Sequence, residues 1–387
     1  MEFQKTNLGE LSVNGKGSYG IAASAVPYSD ELFTYLRITD INDDGTLNKS
    51  GLMSVSDEKA EQYLLKPNDI VFARTGGSTG RSYFYDGTDG EFVYAGFLIK
   101  FSIDSTKVNP RFIKYYCLSQ EYRGWVHSFN TGSTRGNINA QTYANMSILL
   151  PSREQQDLLV DTLSVIDEKI KLNTAINENL EQQAQAIYAQ MFIESAEESW
   201  ETGSLSDIAV ITMGQSPKGD TFNETGEGAV FYQGRTDFGF RFPTRRLYTT
   251  EPKRIALCDD ALMSVRAPVG DLNVAYEECC IGRGLAAIHS KDNHQSFVLY
   301  TLFTLKKQLD VFNGEGTVFG SINKESLNSM EITIPPRELM DRFESTISPI
   351  DRAIRNNYEE ICRLQAIRDT LLPKLMNGEI DVSAVRI

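Results

Sequence analysis

Histidine is scarce in this chain and cysteine forms no pattern. Among 387 residues there are three histidines (His127, His289, His294) and five cysteines (Cys117, Cys258, Cys279, Cys280, Cys362). The histidines lack metal-ligand spacing such as H-E-x-x-H, and His127 reads as a helix-packing residue. No C-x-x-C pair occurs and an odd cysteine count argues against a disulfide framework, which fits a reducing cytoplasm. The adjacent Cys279 and Cys280 read as strand residues. No apolar run approaches the roughly 20 residues a membrane helix needs. The start, "MEFQKTNLGELS", has no basic beginning followed by an apolar run and does not read as a signal peptide. There is no G-x-S-x-G nucleophile elbow, and no [DN]-P-P-[YF] tetrapeptide to hold a flipped adenine for methylation. The Pro-Pro at 335–336 opens a helix instead. No catalytic or metal-binding constellation is expected, so the chain is expected to position other molecules and to perform no chemistry itself.

Net charge is −14, which argues against a nucleic-acid partner only until its distribution is seen. Half of it lies in residues 151–199, where three basic residues face ten acidic ones. The large blocks on either side are close to neutral, so a local basic face remains open to each.

What is abundant is repetition. "NTGSTRGNINAQTYANMSILLPSREQQ" (130–156) and "GEGTVFGSINKESLNSMEITIPPRELM" (314–340) stay in register at a constant offset of 184. Gly132, Gly136, Ile138, Asn139, Met146, Ile148, Pro151, Arg153 and Glu154 meet identical residues, and the register runs on from "VIDEKI" to "PIDRAI". Each copy begins with a block rich in short Val/Ile/Tyr/Phe runs broken by turn signals, which predicts an irregular β-rich domain with helices near 110–122 and 295–309. A segment of helical periodicity follows each.

In the first helical segment the apolar seam is Leu159, Leu163, Ile166, Ile170, Leu180, Ala184, Ile187 and Met191, with Asn173 and Asn177 filling its gaps. The second carries Phe343, Ile347, Ile350, Ile354, Asn357, Ile361, Leu364, Leu371 and Leu375. Such a seam needs another helix, and an Asn within it fixes register at a cost in stability. Pro349 predicts a break near Ser348, and Pro373 an end or a bend. The simplest partner for each helix is the other. An antiparallel pair lets the second β-rich block join the end of one helix to the start of the next, whereas a parallel pair would make that block span about 40 Å. The expected fold class is α+β: two similar β-rich globular domains, 1–152 and 200–335, and two long antiparallel coiled-coil regions, 153–199 and 336–387, as a pseudo-two-fold internal repeat. The bland alternative is a homodimeric coiled coil carrying two unrelated domains.

"RTGGSTGRS" (74–82) follows a strand-like run and invites comparison with a phosphate-binding loop. Thr75 stands where the first Gly of a P-loop belongs, Arg81 replaces its Lys, and the second copy, "VRAPVGD", keeps none of it. Arg74, Thr75, Ser78, Thr79 and Arg81 suit nucleic acid better, because Arg can fork onto guanine and Ser or Thr can reach bases or phosphates. Arg266 reads as the equivalent of Arg74. In the second repeated stretch, Gly136, Ile138 and Asn139 are shared with the other copy and read as scaffold, while Ser133, Thr134 and Arg135 diverge and read as readout. Gln233, Arg235, Arg241, Arg245 and Arg246 form a basic cluster among aromatics.

Two variable β-rich blocks alternating with "LPSREQQDLLVDTLSVIDEKI" and "IPPRELMDRFESTISPIDRAI", and a final "LLPKLMNGEIDV", make the whole chain resemble the DNA specificity subunit of Type I restriction-modification systems. The resemblance implies a non-catalytic subunit in which each block reads one half of a split double-stranded DNA target and the helices set the unread gap. It implies docking of two methyltransferase subunits, bringing S-adenosylmethionine, and of motor-nuclease subunits using ATP and Mg. Here "AIYAQMFIESAEESW" is more acidic than is usual at the end of the family's central helix. A self-sufficient methyltransferase or nuclease, and a coiled-coil scaffold that binds no DNA, are the competing readings.

Overall fold

A computed structural model describes residues 3–129, 136–314 and 320–380. The chain divides into two compact units, Met1–Leu172 with Glu360–Ile387, and Asn173–Glu359.

In the first unit a two-stranded ribbon pairs Phe3–Asn7 with Ser147–Pro151, so the start and the end of the globular block lie side by side. Between them stand two four-stranded sheets. One orders Ser18–Tyr19, Leu98–Ser102, Asp69–Ala73 and Ser82–Tyr85, all antiparallel. The other orders Ala25–Val26, Met53–Val55, Phe33–Leu36 and Phe92–Tyr94, the last pair parallel. Asp69–Ala73 is buried at every residue, as a strand covered on both faces must be. Helices Pro110–Tyr116 and Gln120–His127 replace the single helix expected over 110–122. Ser119 separates them by capping Tyr122 N–H. His127 is exposed rather than packed.

The second unit repeats this plan. Its ribbon pairs Glu201–Ser204 with Glu331–Ile334. One sheet orders Ala209–Met213, Leu285–Ser290, Ala261–Ser264 and Leu272–Val274. The other has a parallel pair, Ala229–Tyr232 with Cys279–Ile281, at the corresponding place. The helix expected near 295–309 is divided at Leu305 into Gln295–Thr304 and Lys306–Asp310. A shared topology down to the parallel pair excludes two unrelated domains.

Two long helices, Arg153–Ala189 and Arg337–Met376, run through 37 and 40 residues. They pair antiparallel within each unit. In the first unit, Leu159, Leu163 and Ile166 are buried near the start of one helix, and Leu159 and Leu163 share a core with Leu372, Leu375 and Met376 from the end of the other. In the second unit, Ala184 and Tyr188 share a core with Phe343, Ile347 and Ile354. The seam asparagines meet there: Asn357 Nδ2 donates to Asn177 Oδ1 at 2.8 Å, and Asn177 Nδ2 donates to the Ile354 carbonyl at 3.2 Å. Asn173 is buried as well. Ile170, Leu180, Ile187, Ile350, Leu364 and Leu371 are half-buried along the same seam.

Pro349 does not break the last helix. The carbonyl it leaves without a partner belongs to Ser345, and both residues are exposed, so water can reach the gap while the buried face runs on unbroken. Ser345 and Thr346 hydroxyls bond the Arg342 carbonyl and Ser348 bonds that of Glu344, giving this turn side-chain donors. Past Pro373 the helix continues to Met376.

Candidate nucleic-acid interface

At the ends of the first unit's sheets, backbone hydrogen bonds gather five loop segments. Gly20 N–H donates to Leu98 at 3.2 Å and Ile21 N–H to Tyr94 at 3.0 Å. The turn Ala95–Leu98 is closed by Leu98 N–H on Ala95 at 2.8 Å, and Ala95 N–H reaches Leu36 at 2.9 Å, next to Arg37. Arg74 N–H donates to the Phe97 carbonyl at 3.1 Å, while the Arg74 carbonyl accepts from Ile138 N–H at 2.9 Å. A bridge joins Thr75 to Asn137.

The second unit reproduces the set. Gly214 donates to Leu285, Gln215 to Ile281, Leu285 to Gly282 and Gly282 to Tyr232. Val265 N–H donates to Gly284 at 2.9 Å, Ile322 N–H to the Val265 carbonyl at 3.1 Å, and Arg266 bridges Ser321. This register corrects one sequence expectation. Arg266 occupies the position of Thr75, and the counterpart of Arg74 is Val265. Matching like residues slipped the comparison by one, which in extended chain moves a side chain to the other face.

The residues shared between copies are architectural. Ile138 and Ile322 are buried, and Asn139 and Asn323 each cap a short helix through the side-chain oxygen, at 2.9 and 2.8 Å. A Cβ on Gly320 would collide with the Phe312 carbonyl. Ser133, Thr134 and Arg135 lie outside the described residues.

In "RTGGSTGRS" the amides of Thr79, Gly80 and Arg81 are committed to the carbonyls of Gly76, Ala73 and Ser78. Ser78 is buried, and the Thr79 hydroxyl donates to Gly76 and Gly136, so both are structural. Gly80 has φ +89 and its α-carbon lies against Val126, a place with no room for a side chain. Arg81 Nε sits 2.7 Å from Asp43 and its Nη1 donates to the Ile41 carbonyl. Arg74 lies over the Tyr19 ring, 5.2 Å from its centroid, with Nε buried and without a partner among the described residues.

In the second unit Gln233 and Arg266 are exposed, and Arg266 makes no ion pair among the described residues. Arg235 pairs with Asp271 at 2.7 Å, Arg245 with Glu277 at 2.5 Å and Arg246 with Asp237 at 3.0 Å. Partial burial works against the charge on Arg245, but Glu277 more than offsets it and raises that guanidinium's pKa. Arg241 belongs elsewhere. It is 5% exposed and bonded to Glu181, Tyr300 and Asp351, so it is a strut of the unit's interior and no part of the basic surface.

The structure adds residues that pattern reading missed: Tyr19 and Phe97, 42% and 58% exposed, and the exposed Arg283 in the turn after Gly282. Only an aromatic beside glycine, in "SYG" and "AGF", hinted at the first two. Among the described residues no His/Cys/Asp/Glu group could hold a metal ion, and no helix is long and apolar enough to cross a membrane.

Known proteins resemble this chain. A specificity subunit of a putative type I restriction enzyme, MjaX, from Methanocaldococcus jannaschii is 29% identical, with 89% of this chain and 87% of that one covered. The HindI type I specificity subunit of Haemophilus influenzae is 22% identical over 82% of this chain and 87% of its own. The crystal structure of a Type-I restriction-modification system S subunit from M. genitalium shares the fold at a TM-score of 0.56, with 16% identity, covering 97% of this chain and 96% of that one. Residues 6–182 and 197–362 each match the family described as Type I restriction modification DNA specificity domain. Carrying that domain twice, the chain belongs to the Type I restriction-modification DNA specificity family.

Proposed function

We propose that each globular domain reads one half of a two-part duplex sequence through its gathered strand-end loops. The observation that carries this reading is one hydrogen-bonded loop frame holding different side chains: Arg74 against Val265, Thr75 against Arg266, Phe97 against Gly284. A common frame with divergent tips suits two readers of different letters. Arg246 holds the buried Asp237, whereas Arg81, Arg235 and Arg245 each rest on a carboxylate near the surface. Exposed pairs of this kind contribute about 0–1 kcal/mol, so exchanging the carboxylate for a DNA phosphate costs little. Base contacts then fall to Arg74, Gln233 and Arg266.

In this reading the chain is non-catalytic and works in the cytoplasm. The helices set the unread gap and dock two methyltransferase subunits, which bring S-adenosylmethionine, and motor-nuclease subunits, which use ATP and Mg. A stripe facing away from the seam supports docking: Leu158, Val165 and Leu172, at seven-residue steps, are 38%, 50% and 54% exposed. Mapping modified bases across the genome of cells with and without the chain tests the proposal. The expected result is a two-part motif that vanishes with the chain. Exchanging residues 1–152 for the matching block of a relative should change one half only. A change in both halves, or no dependent motif, would overturn the reading.

A further inference from the structure

Phe97 has no counterpart in the second domain. The register fixes the comparison: Arg74 N–H donates to Phe97 where Val265 N–H donates to Gly284, and each turn is closed by the following leucine, Leu98 on Ala95 and Leu285 on Gly282. At Gly284 a Cβ would lie 2.8 Å from the Gln233 carbonyl, so the second domain excludes a side chain there. The first domain presents a phenylalanine, 58% exposed, at the tip of a turn pinned on both sides by backbone bonds. Its neighbours are chemically apt. Arg74, bonded to it through the backbone, holds its guanidinium over Tyr19, which is itself 42% exposed. A rigid exposed ring beside an arginine and a second aromatic matches what stacks on or wedges between bases. The buried Arg74 Nε, without a partner among the described residues, gains a bond if the guanidinium leaves Tyr19 for an acceptor.

We infer that Phe97 is a base-stacking residue of the first recognition domain, inserted against one base step of its half-site, and that the second domain reads without such a wedge. This rests on the reading of the chain as a two-part DNA reader. The step it meets is one that unstacks easily, a pyrimidine–purine step.

The test uses the full chain assembled with its methyltransferase subunits, in wild-type form and as Phe97→Ala and Phe97→Trp. Modified bases are mapped in cells, and duplexes carrying the mapped motif are titrated with 2-aminopurine placed at each position in turn. Apart from the mapped modified base itself, which a methyltransferase turns out of the stack, wild type should brighten the probe at one step in the half assigned to residues 1–152, and Phe97→Trp should keep that signal. Phe97→Ala should lose it and bind about tenfold more weakly or worse, relaxing sequence choice there and leaving the other half unchanged. The same motif, modified fraction and probe signal for Phe97→Ala would overturn the inference while leaving the two-part reading intact. Loss of assembly with the methyltransferase subunits, seen by size exclusion, would make Phe97 a protein contact and overturn it too. Absence of any motif directed by wild type would instead defeat the underlying reading.

Discussion

The two units share a topology and lock their helices on the same repeated aspartate, Asp167 and Asp351, but with different cations. In the first, Asp167 receives Lys114 at 2.6 Å, Tyr115 Oη at 3.0 Å and Arg368 at 3.4 Å, in a partly wet setting. Burial would raise its pKa, but Lys114 and then Arg368 outweigh that and hold the carboxyl below its ordinary value. In the second, Asp351 accepts from Tyr300 Oη at 3.0 Å and from Arg241, which is buried, lies over the Tyr300 ring and also pairs with Glu181. Burial dominates at Glu181 and raises its pKa even with Arg241 beside it. A fold can thus be copied with its anchoring aspartate and tyrosine kept while the cations are redrawn from other elements, because topology follows backbone register and the burial pattern.

The largest effect that separates the units should come from Arg241→Met. It strands two carboxylates and should destabilise the second unit by about 3–5 kcal/mol. Hydrogen exchange should show Ala261–Ser264 opening more often and Asp69–Ala73 unchanged; equal loss in both would erase the distinction. Asn177→Ala comes next, because it leaves the Asn357 amide without its acceptor, with an expected cost of about 1–3 kcal/mol measured by denaturant unfolding.

Acid should divide the units by sign. The Asp167 contribution is present above its ordinary pKa of 3.8 and is lost as pH falls through the lower folded value. The Glu181 contribution is fully present below its ordinary 4.5 and is lost as pH rises through the raised folded value. Acidification toward about pH 4 should therefore favour the second unit's helix contact, and Glu181→Gln should flatten that response in pH-resolved exchange. The smallest change is Arg81→Ala, within about 0.5 kcal/mol for stability. If it alters DNA affinity as little, Arg81 is only the partner of Asp43.

Much of this was legible in the sequence because identity and periodicity report packing directly. The offset of 184 exposed the repeat, the heptad with Asn177 and Asn357 announced a helix–helix seam whose asparagines do bond, and the span of the second block pointed to the antiparallel arrangement. What failed depended on facts that composition does not carry. Whether Pro349 breaks a helix turns on which way the Ser345 carbonyl faces. Arg241 looked like a surface cation because Glu181 and Asp351 lie 60 and 110 residues away. The pairing of Arg74 with Arg266 followed letters, whereas equivalence follows hydrogen bonds. Phe97 stayed invisible because a repeat highlights what is common, and its importance lies in being unmatched.

Each globular block begins and ends on neighbouring strands, Phe3 facing Pro151 and Glu201 facing Ile334. Such a block is a cassette: a crossover between genes needs to join only two adjacent threads to install a foreign reader. The helical scaffold accepts the newcomer as long as it still meets Asp167 or Asp351 with a tyrosine and a cation, so new target sequences could arise by shuffling whole blocks faster than by accumulating point changes.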